Sequence, residues 1–232
     1  MREISLLPFT IAGVALVAVV RMFRRAGGCG AQRSEAATGH LRRLPLVSVI
    51  VPAHNAAPWI GEALESILGQ EGIENDRIEV SVYNDLSSDA THDILLKSKQ
   101  RFESLGFHFT IGGRNRISAS ERPGGDGKAR NLAVRQSKGK YLCFLDADDA
   151  MMSNRISRQL ELARRNPDAI VGSRFFRLPE NSTEHYTRTL NELTDREVVL
   201  RQYREITIIQ PTWFFHRNVY DKVGGYPEMQ GL

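Results

Sequence analysis

The sequence has very few cysteines, only Cys29 and Cys143 among 232 residues. Two cysteines cannot form a disulfide framework, and these two are not in the paired spacing that cysteine-based zinc sites use. Cysteine usage therefore excludes a disulfide-stapled scaffold and a cysteine-ligated metal site. It leaves the redox compartment of the protein open.

The main part of the chain also lacks a basic surface, although the formal net charge is +4. Residues 1–43 contain seven arginines and two glutamates, so they carry +5 and residues 44–232 carry −1. A nucleic-acid-binding domain should show Lys and Arg clustered within its fold. The charge distribution therefore predicts no nucleic-acid partner.

One stretch lacks charge altogether, residues 4–20, ISLLPFTIAGVALVAVV. Its length is at the lower limit of about 17–25 residues for a membrane-spanning helix. Residues 1–25 form a hydrophobic and basic leader that is a membrane anchor, a cleaved signal or a leader without function. Any membrane association is expected through residues 4–20, with the side of the membrane unresolved. Residues 26–43 are small and polar and are predicted to be a linker.

From residue 44 onward, short apolar runs alternate with helical periodicity, which predicts an α/β domain with a mainly parallel sheet flanked by helices. The expected strands are 47–51, 79–83, 107–111, 140–145, 169–176 and 207–216. The expected helices are 58–69, 89–104, 127–137 and 153–166. Pro52 should end the first strand, and Gly112 and Gly113 should end the third. Trp213, Phe214 and Phe215 are expected in the core.

Three carboxylates follow the buried strand at 140–145, namely Asp146, Asp148 and Asp149. Ligands of open α/β sheets bind outside the carboxyl ends of the strands. Acids this close together repel one another unless a cation lies among them, and a hard divalent cation with oxygen ligands fits this pattern. The alternative is that these acids lie in the first turn of a helix, where the helix dipole favours negative charge.

Polar residues also follow the first two strands. Pro52, Ala53, His54 and Asn55 would form a pocket floor, whereas a lone histidine is more often structural. Asn84 and Asp85 could read a nucleobase edge or ribose hydroxyls, and a plain β-turn explains the same pair. The glycine-rich loop at 123–127 is either part of a ligand site or a flexible connector.

Together, five segments resemble the ordered landmarks of the family 2 glycosyltransferases, which have the GT-A (Rossmann-like) fold. They are VSVIVPAHN at 47–55, NDLSSD at 84–89, KARN at 128–131, FLDADD at 144–149 and GGY at 224–226. Each segment alone is weak evidence for the family, but five segments in this order are a specific signal. Residues 137–172 and 179–188 also resemble β-1,3-N-acetylglucosaminyltransferase-like members of the family. The resemblance covers about 44–232.

This resemblance implies a donor site for a UDP-sugar, with UDP-GlcNAc favoured, and Mn²⁺ or Mg²⁺ as cofactor. Residues 52–54 would line the uridine pocket, and Asp85 would bind the uracil. Asp148 would hold the metal against the phosphates, and Asp146 would approach the metal or the ribose. The full set of implied donor-binding residues is Pro52, Ala53, His54, Asn55, Asn84, Asp85, Lys128, Arg130, Asn131, Asp146 and Ala147.

The resemblance further implies an inverting reaction, in which an acceptor hydroxyl attacks the anomeric carbon and UDP departs with its charge offset by the metal. A carboxylate base must take the acceptor proton. In the family this base follows the Gly-Gly-Tyr segment, whereas this chain ends at Leu232 and Glu228 comes too early. We therefore expect a C-terminally truncated domain with its base beyond Leu232. The acceptor, whether glycan, protein or lipid, is unknown.

Two other functional classes explain parts of the sequence. A non-catalytic nucleotide-sugar-binding module would account for the missing base. A dehalogenase-like phosphatase would use Asp146 as nucleophile, but its motif belongs on the first strand and here follows a later one. The sequon at Asn181 is expected to be a chance occurrence.

Overall fold

The structure is a computed structural model that describes residues 19–21, 44–179 and 182–227. The predicted linker, Asn181 of the sequon and Glu228 lie outside the described residues, and so does the predicted leader apart from residues 19–21. Within the described ranges, no helix combines the length and the apolar character that crossing a membrane requires.

Over the described ranges, the chain forms seven strands, seven α-helices and two turns of 3₁₀ helix, at Asn75–Arg77 and Gln210–Thr212. In chain order the strands and α-helices are β1 (Val19–Arg21), β2 (Val47–Ala53), α1 (Ile60–Leu68), β3 (Ile78–Asp85), α2 (Thr91–Ser104), β4 (His108–Arg114), α3 (Asp126–Gln136), β5 (Tyr141–Phe144), α4 (Arg155–Arg165), β6 (Ala169–Val171), α5 (Glu184–Asn191), α6 (Asp195–Arg201), β7 (Phe214–His216) and α7 (Arg217–Val223).

The strands form one sheet in the order β1-β6-β7-β5-β2-β3-β4. β2 is central and pairs in parallel with β3 and with β5, and β3 pairs in parallel with β4. β7 is antiparallel to both β5 and β6, and β1 is antiparallel to β6. The predicted class, a mixed and mainly parallel sheet flanked by helices, is confirmed.

The alternation of side chains along β2 divides the core into two layers. Val47, Val49 and Val51 pack with buried residues of α1, α2 and α4 on one face of the sheet. Ile50 packs on the other face with buried residues of α3, β5 and α7. The sheet is therefore covered on both sides, which is why the central strand β2 is buried along its whole length.

β2 continues past Pro52 to Ala53, so the expected strand end at Pro52 is wrong. The carbonyl of Ile50 accepts from the amide of Leu145 (3.1 Å), which shows that residue 50 points its backbone groups towards β5. Pro52, two residues on, points its nitrogen in the same direction, where β5 has already ended at Phe144. The missing N–H of Pro52 therefore costs no ladder hydrogen bond.

β4 likewise continues through Gly112 and Gly113 to Arg114, so the expected end of this strand is also wrong. Gly113 has a φ of 72° and pairs with Asn84 of β3. A Cβ atom at Gly113 would lie 2.0 Å from the carbonyl oxygen of Asn84. Glycine is used here because it lets the edge strand follow β3 closely to the end that carries Asp85.

The last two predicted strands are much shorter than expected. The apolar run at 207–216 is interrupted by the 3₁₀ turn at Gln210–Thr212, which contains Pro211, and only its end forms β7. The short helices α5, α6 and α7 were not predicted. Phe214 and Phe215 are buried as expected, and Trp213 is half-buried against Phe144.

We predict that Gly113→Ala lowers the free energy of unfolding by about 3 kcal/mol or more, because it combines a positive φ with a backbone clash. The matched control is Gly61→Ala in α1, where a Cβ meets nothing within 4 Å. This control should stabilise the protein slightly, by about 0.5 kcal/mol, through helix propensity. Urea unfolding measures both, and equal stability of the two variants would contradict the assigned β3–β4 register.

Candidate functional site

A cleft of about 440 Å³ lies at the carboxyl ends of β2, β3 and β5. This is the edge of the sheet where the sequence predicted a ligand site. Asp85 and Asp148, from different strand ends, lie in this one cleft. Its described lining residues are Pro52, Ala53, His54, Ala56, Trp59, Asp85, Pro123, Gly125, Asp126, Ala129, Arg130, Asp146, Ala147 and Asp148.

Most of the predicted site residues meet in the cleft. The residues that line it are Pro52, Ala53, His54, Asp85, Arg130, Asp146, Ala147 and Asp148. Four predicted donor-binding residues, Asn55, Asn84, Lys128 and Asn131, are not among the lining residues. Three of these four, all but Lys128, instead make hydrogen bonds that hold the walls of the cleft.

Asp146, Asp148 and Asp149 form an acidic cluster in which one ligand oxygen from each residue lies within 4.8 Å of the others. The next helix begins only at Arg155, so the alternative of a helix first turn is wrong. Burial raises the pKa of Asp148, and the charge of Asp146 acts in the same direction. Oxygen ligands at this spacing fit Mn²⁺ or Mg²⁺.

Arg130 is a buried cation beside this cluster, with its side chain 5% exposed. One terminal nitrogen donates to Asp146 Oδ1 at 2.6 Å, and the other contacts the carboxylate of Asp126 one helical turn earlier. Its guanidinium carbon lies 5.8 Å from the ring centroid of Tyr226. Arg130 therefore pairs with both Asp126 and Asp146, whereas the described part of the chain offers no cationic partner for Asp148.

Asp85 is buried, and both of its carboxylate oxygens accept backbone hydrogen bonds from the glycine-rich loop. Oδ1 accepts from the amide of Gly124 at 3.0 Å, and Oδ2 accepts from the amide of Gly125 at 2.8 Å. Gly125 has a φ of 86°, a conformation that favours glycine. Loop 123–125 is therefore a wall of the cleft that Asp85 holds in place.

His54 follows β2 and has both ring nitrogens in hydrogen bonds. Nδ1 lies 2.6 Å from the carbonyl oxygen of Asp85, so it must carry the proton and donate. Nε2 then accepts from the side-chain amide of Asn55 at 3.1 Å. Asn55 Oδ1 in turn accepts from the amide of Ser88 at 2.8 Å, which ties the ends of β2 and β3 together.

Asn131 holds the Gly-Gly-Tyr segment against α3. Its Oδ1 accepts from the hydroxyl of Tyr220 at 2.5 Å and from the amide of Tyr226 at 2.9 Å, and its Nδ2 donates to the carbonyl of Tyr226 at 3.0 Å. The ring of Tyr226 packs between Arg130 and Trp213. Burial raises the pKa of Tyr226 to about 12.

The other two predicted residues lie beside the cleft. Asn84 is buried beneath it, where Nδ2 donates to Asn115 Oδ1 at 3.1 Å and Oδ1 accepts from the amide of Ser87. Lys128 is exposed on α3. Its aliphatic stem lies against Gly124, because a Cβ atom there would meet Lys128 Cδ at 2.5 Å.

Sequence reasoning missed the lining residues Trp59 and Ala56, and it included Asp126 only as part of the loop 123–127. A more specific signal for Asp126 is its position four residues before Arg130, directly before the helix predicted at 127–137. Trp59 had none, since it follows Pro58 in what was expected to be the first helical turn. In the structure Trp59 precedes α1 as its N-cap residue.

Residues 48–224, more than half of the chain, match the protein family described as glycosyl transferase family 2. The chain belongs to glycosyl transferase family 2. The segments at 84–89, 128–131 and 144–149 lie wholly within the matched residues. The aligned parts of this chain cover between 18% and 48% of the length of six curated relatives, less than half of each.

One curated relative is the succinoglycan biosynthesis protein ExoO of Rhizobium meliloti, which is 33% identical over 121 residues, 52% of this chain and 30% of ExoO. Solved structures that share the fold include the following two. S. aureus TarS (residues 1–349) in complex with UDP-GlcNAc is 20% identical, with a TM-score of 0.55 over 78% of this chain and 48% of that chain. The mannosyltransferase PcManGT of Pyrobaculum calidifontis in complex with GDP-Man and Mn²⁺ is 21% identical, with a TM-score of 0.59 over 81% of this chain and 49% of that chain.

We predict that Asp148→Asn raises the melting temperature of the metal-free protein by about 1–3 °C, because it removes a charge that burial disfavours. A raised pKa makes the charged carboxyl a destabilising group above that pKa. The gain should therefore shrink as the pH falls towards the ordinary value of 3.8, below which wild-type Asp148 is protonated in both the folded and the unfolded state.

The matched control for this substitution is Asp146→Asn, which should lower the melting temperature because buried Arg130 loses the negative charge of its 2.6 Å partner. Thermal unfolding in EDTA across pH 4–8 measures both variants. If the two substitutions shifted stability in the same direction, the assignment of Arg130 to Asp146 and not to Asp148 would be wrong.

We also predict that Asn131→Ala lowers the free energy of unfolding by about 2–3 kcal/mol, since it leaves polar groups of Tyr220 and Tyr226 without their partner. Lys128→Ala on the exposed side of the same helix should change it by less than about 0.5 kcal/mol. Urea unfolding followed by circular dichroism distinguishes the two. A loss at Asn131 no larger than at Lys128 would contradict the structural role of Asn131.

Proposed function

We propose that this chain binds a UDP-sugar donor with a divalent cation, as the donor-binding part of an inverting family 2 glycosyltransferase. One observation carries the proposal: Asp85 from β3 and the Asp146–Asp148 pair from the end of β5 line the same cleft. A nucleotide diphosphate needs polar groups for its base at one end and cationic charge for its phosphates at the other. The cleft has polar groups at the end near Asp85, and its acidic cluster could hold a cation at the other end.

In this proposal, Asp148 and Asp146 hold Mn²⁺ or Mg²⁺, and Asp149 lies within ligand distance of them. The bound ion would offset the charge that develops on the departing UDP. Arg130 keeps Asp146 in a fixed orientation through its 2.6 Å hydrogen bond. Residues 52–54 and Asp85 form the end of the cleft that receives the nucleoside.

UDP-GlcNAc is the donor that we propose. The support is the resemblance of residues 137–172 and 179–188 to β-1,3-N-acetylglucosaminyltransferase-like proteins, together with the fold shared with TarS, which was crystallised with UDP-GlcNAc. PcManGT has the same fold and was crystallised with GDP-Man. Fold similarity alone therefore does not distinguish a uracil from a guanine nucleotide. The two donors have to be compared directly in a binding experiment.

We further propose that the described residues bind the donor and do not supply the base that sugar transfer needs. The described carboxylates in the cleft wall already have roles: Asp85 holds loop 123–125, Asp126 pairs with Arg130, and Asp146 and Asp148 belong to the acidic cluster. An acceptor hydroxyl needs a base within hydrogen-bond reach. Such a base would have to come from outside the described residues.

The test is isothermal titration calorimetry of the full chain with UDP and with UDP-GlcNAc in the presence of Mn²⁺. We expect micromolar binding that EDTA removes. Asp148→Ala should weaken the binding at least about 100-fold, because the buried charge-assisted contact to the ion is lost. Asp93→Ala, an exposed acid on α2, removes the same charge outside the cleft and should leave the affinity unchanged.

Absence of any UDP binding to the wild-type chain with Mn²⁺ would contradict the proposal, and equal effects of Asp148→Ala and Asp93→Ala would contradict the metal site. Tighter binding of GDP-mannose than of UDP-GlcNAc would overturn the donor assignment.

A further inference from the structure

The nucleoside end of the cleft contains an aromatic residue that none of the five family segments includes. Among the described lining residues, only His54 and Trp59 carry aromatic rings. His54 lies in the first of the segments, whereas Trp59 follows it in the turn before α1. This inference rests on the proposed function, because it concerns how the same cleft would bind a nucleotide.

The backbone around Trp59 is fixed by hydrogen bonds from two directions. The amides of Trp59 and Ile60 both donate to the carbonyl of Ala56, at 2.9 Å each, which folds residues 56–60 into a tight turn. The amide of Ala56 donates to Thr91 Oγ1 at 2.8 Å, and that of Ala57 donates to Asp89 Oδ2 at 3.0 Å. The turn is thus anchored to the start of α2 and carries Trp59 back to the cleft.

The polar groups at this end of the cleft are already used within the protein. Both oxygens of Asp85 accept amides of loop 123–125, and both ring nitrogens of His54 have partners. A base that forms hydrogen bonds here would either displace a partner of His54 or share an Asp85 oxygen that already accepts one amide, since a carboxylate oxygen can accept more than one hydrogen bond. Stacking on an aromatic face needs no such exchange, because every base has a π face.

We infer that Trp59 is a stacking residue for the base of the bound nucleotide and supplies much of the affinity for the nucleoside. A planar base that enters past residues 52–54 meets the indole of Trp59 on the wall formed by the turn. The diphosphate then lies towards Asp146 and Asp148. Binding of the base and binding of the phosphates are therefore separable, and only the first depends on Trp59.

The chain contains two tryptophans, so Trp59 can be isolated as a fluorescent reporter. Trp213 lies outside the cleft lining, and its indole Nε1 donates to the carbonyl of Ile208 at 2.9 Å. In full-length Trp213→Phe, titration with UDP and Mg²⁺ should quench the remaining fluorescence with the same dissociation constant as calorimetry gives. Inorganic pyrophosphate with Mg²⁺ should bind without quenching, since it has no base.

Calorimetry on two variants gives the second measurement. Trp59→Ala in the wild-type background should weaken UDP binding about tenfold, whereas Trp59→Phe should retain most of the affinity because it keeps an aromatic face. Neither variant should change the affinity for pyrophosphate by more than about twofold. Circular dichroism confirms that both variants are folded, which is expected because the Trp59 side chain is only half-buried.

The outcomes distinguish this inference from the proposed function. Trp59 would not be a stacking residue if calorimetry showed UDP binding but the fluorescence of Trp59 did not change. The same would follow if Trp59→Ala weakened the binding of pyrophosphate as much as the binding of UDP. In both cases the proposed donor site would still stand. If the wild-type chain bound neither UDP nor pyrophosphate, the proposed function itself would fail.

Discussion

Parallel pairing of β2 with β3 on one side and β5 on the other is the constraint on which the site depends. Parallel strands bring their carboxyl ends to the same edge, so residues far apart in the sequence meet without any direct attraction between them. The lengths of the strands matter as well. β5 stops at Phe144, opposite Ile50, and β2 continues to Ala53. The chain after β5 is thereby free to leave the ladder and form the acidic cluster beside the end of β2.

The glycine-rich loop follows from the same arrangement. Asp85 is carried by β3 into a buried position at the sheet edge, where an unpaired carboxylate would be strongly unfavourable. Two successive amides of loop 123–125 satisfy it. Positive φ at Gly125 allows both amides to point to one side chain, immediately before α3 begins. The carboxylate therefore positions the start of the helix that carries Arg130, which links the nucleoside end of the cleft to the acidic cluster.

Much of this arrangement could be predicted from local sequence, because apolar runs identify the strands and polar residues after them identify the edge. The predictions failed where tertiary contacts decide. Pro52 remains in a strand only because its neighbour has ended, and Pro211 turns an apolar run into a 3₁₀ segment. Asn131 forms a hydrogen bond with Tyr226, which lies 95 residues later in the sequence, and no local sequence pattern predicts this contact. The place of Trp59 depends on an anchor between its turn and α2, which the sequence does not show either.

The distribution of charge in the cleft is the physical argument for the proposed cation. Its described lining includes the carboxylates of Asp85, Asp126, Asp146 and Asp148 but a single guanidinium, that of Arg130. A diphosphate would be repelled by this balance unless a cation came with it. The protein itself compensates three of the four acids, through the loop amides and through Arg130. For the fourth, Asp148, the described residues show no cationic side chain as partner, and its pKa is raised by burial first and by the charge of Asp146 second. A divalent ion would gain most at a half-buried negative charge of this kind, so in the proposed function it would bind at Asp148.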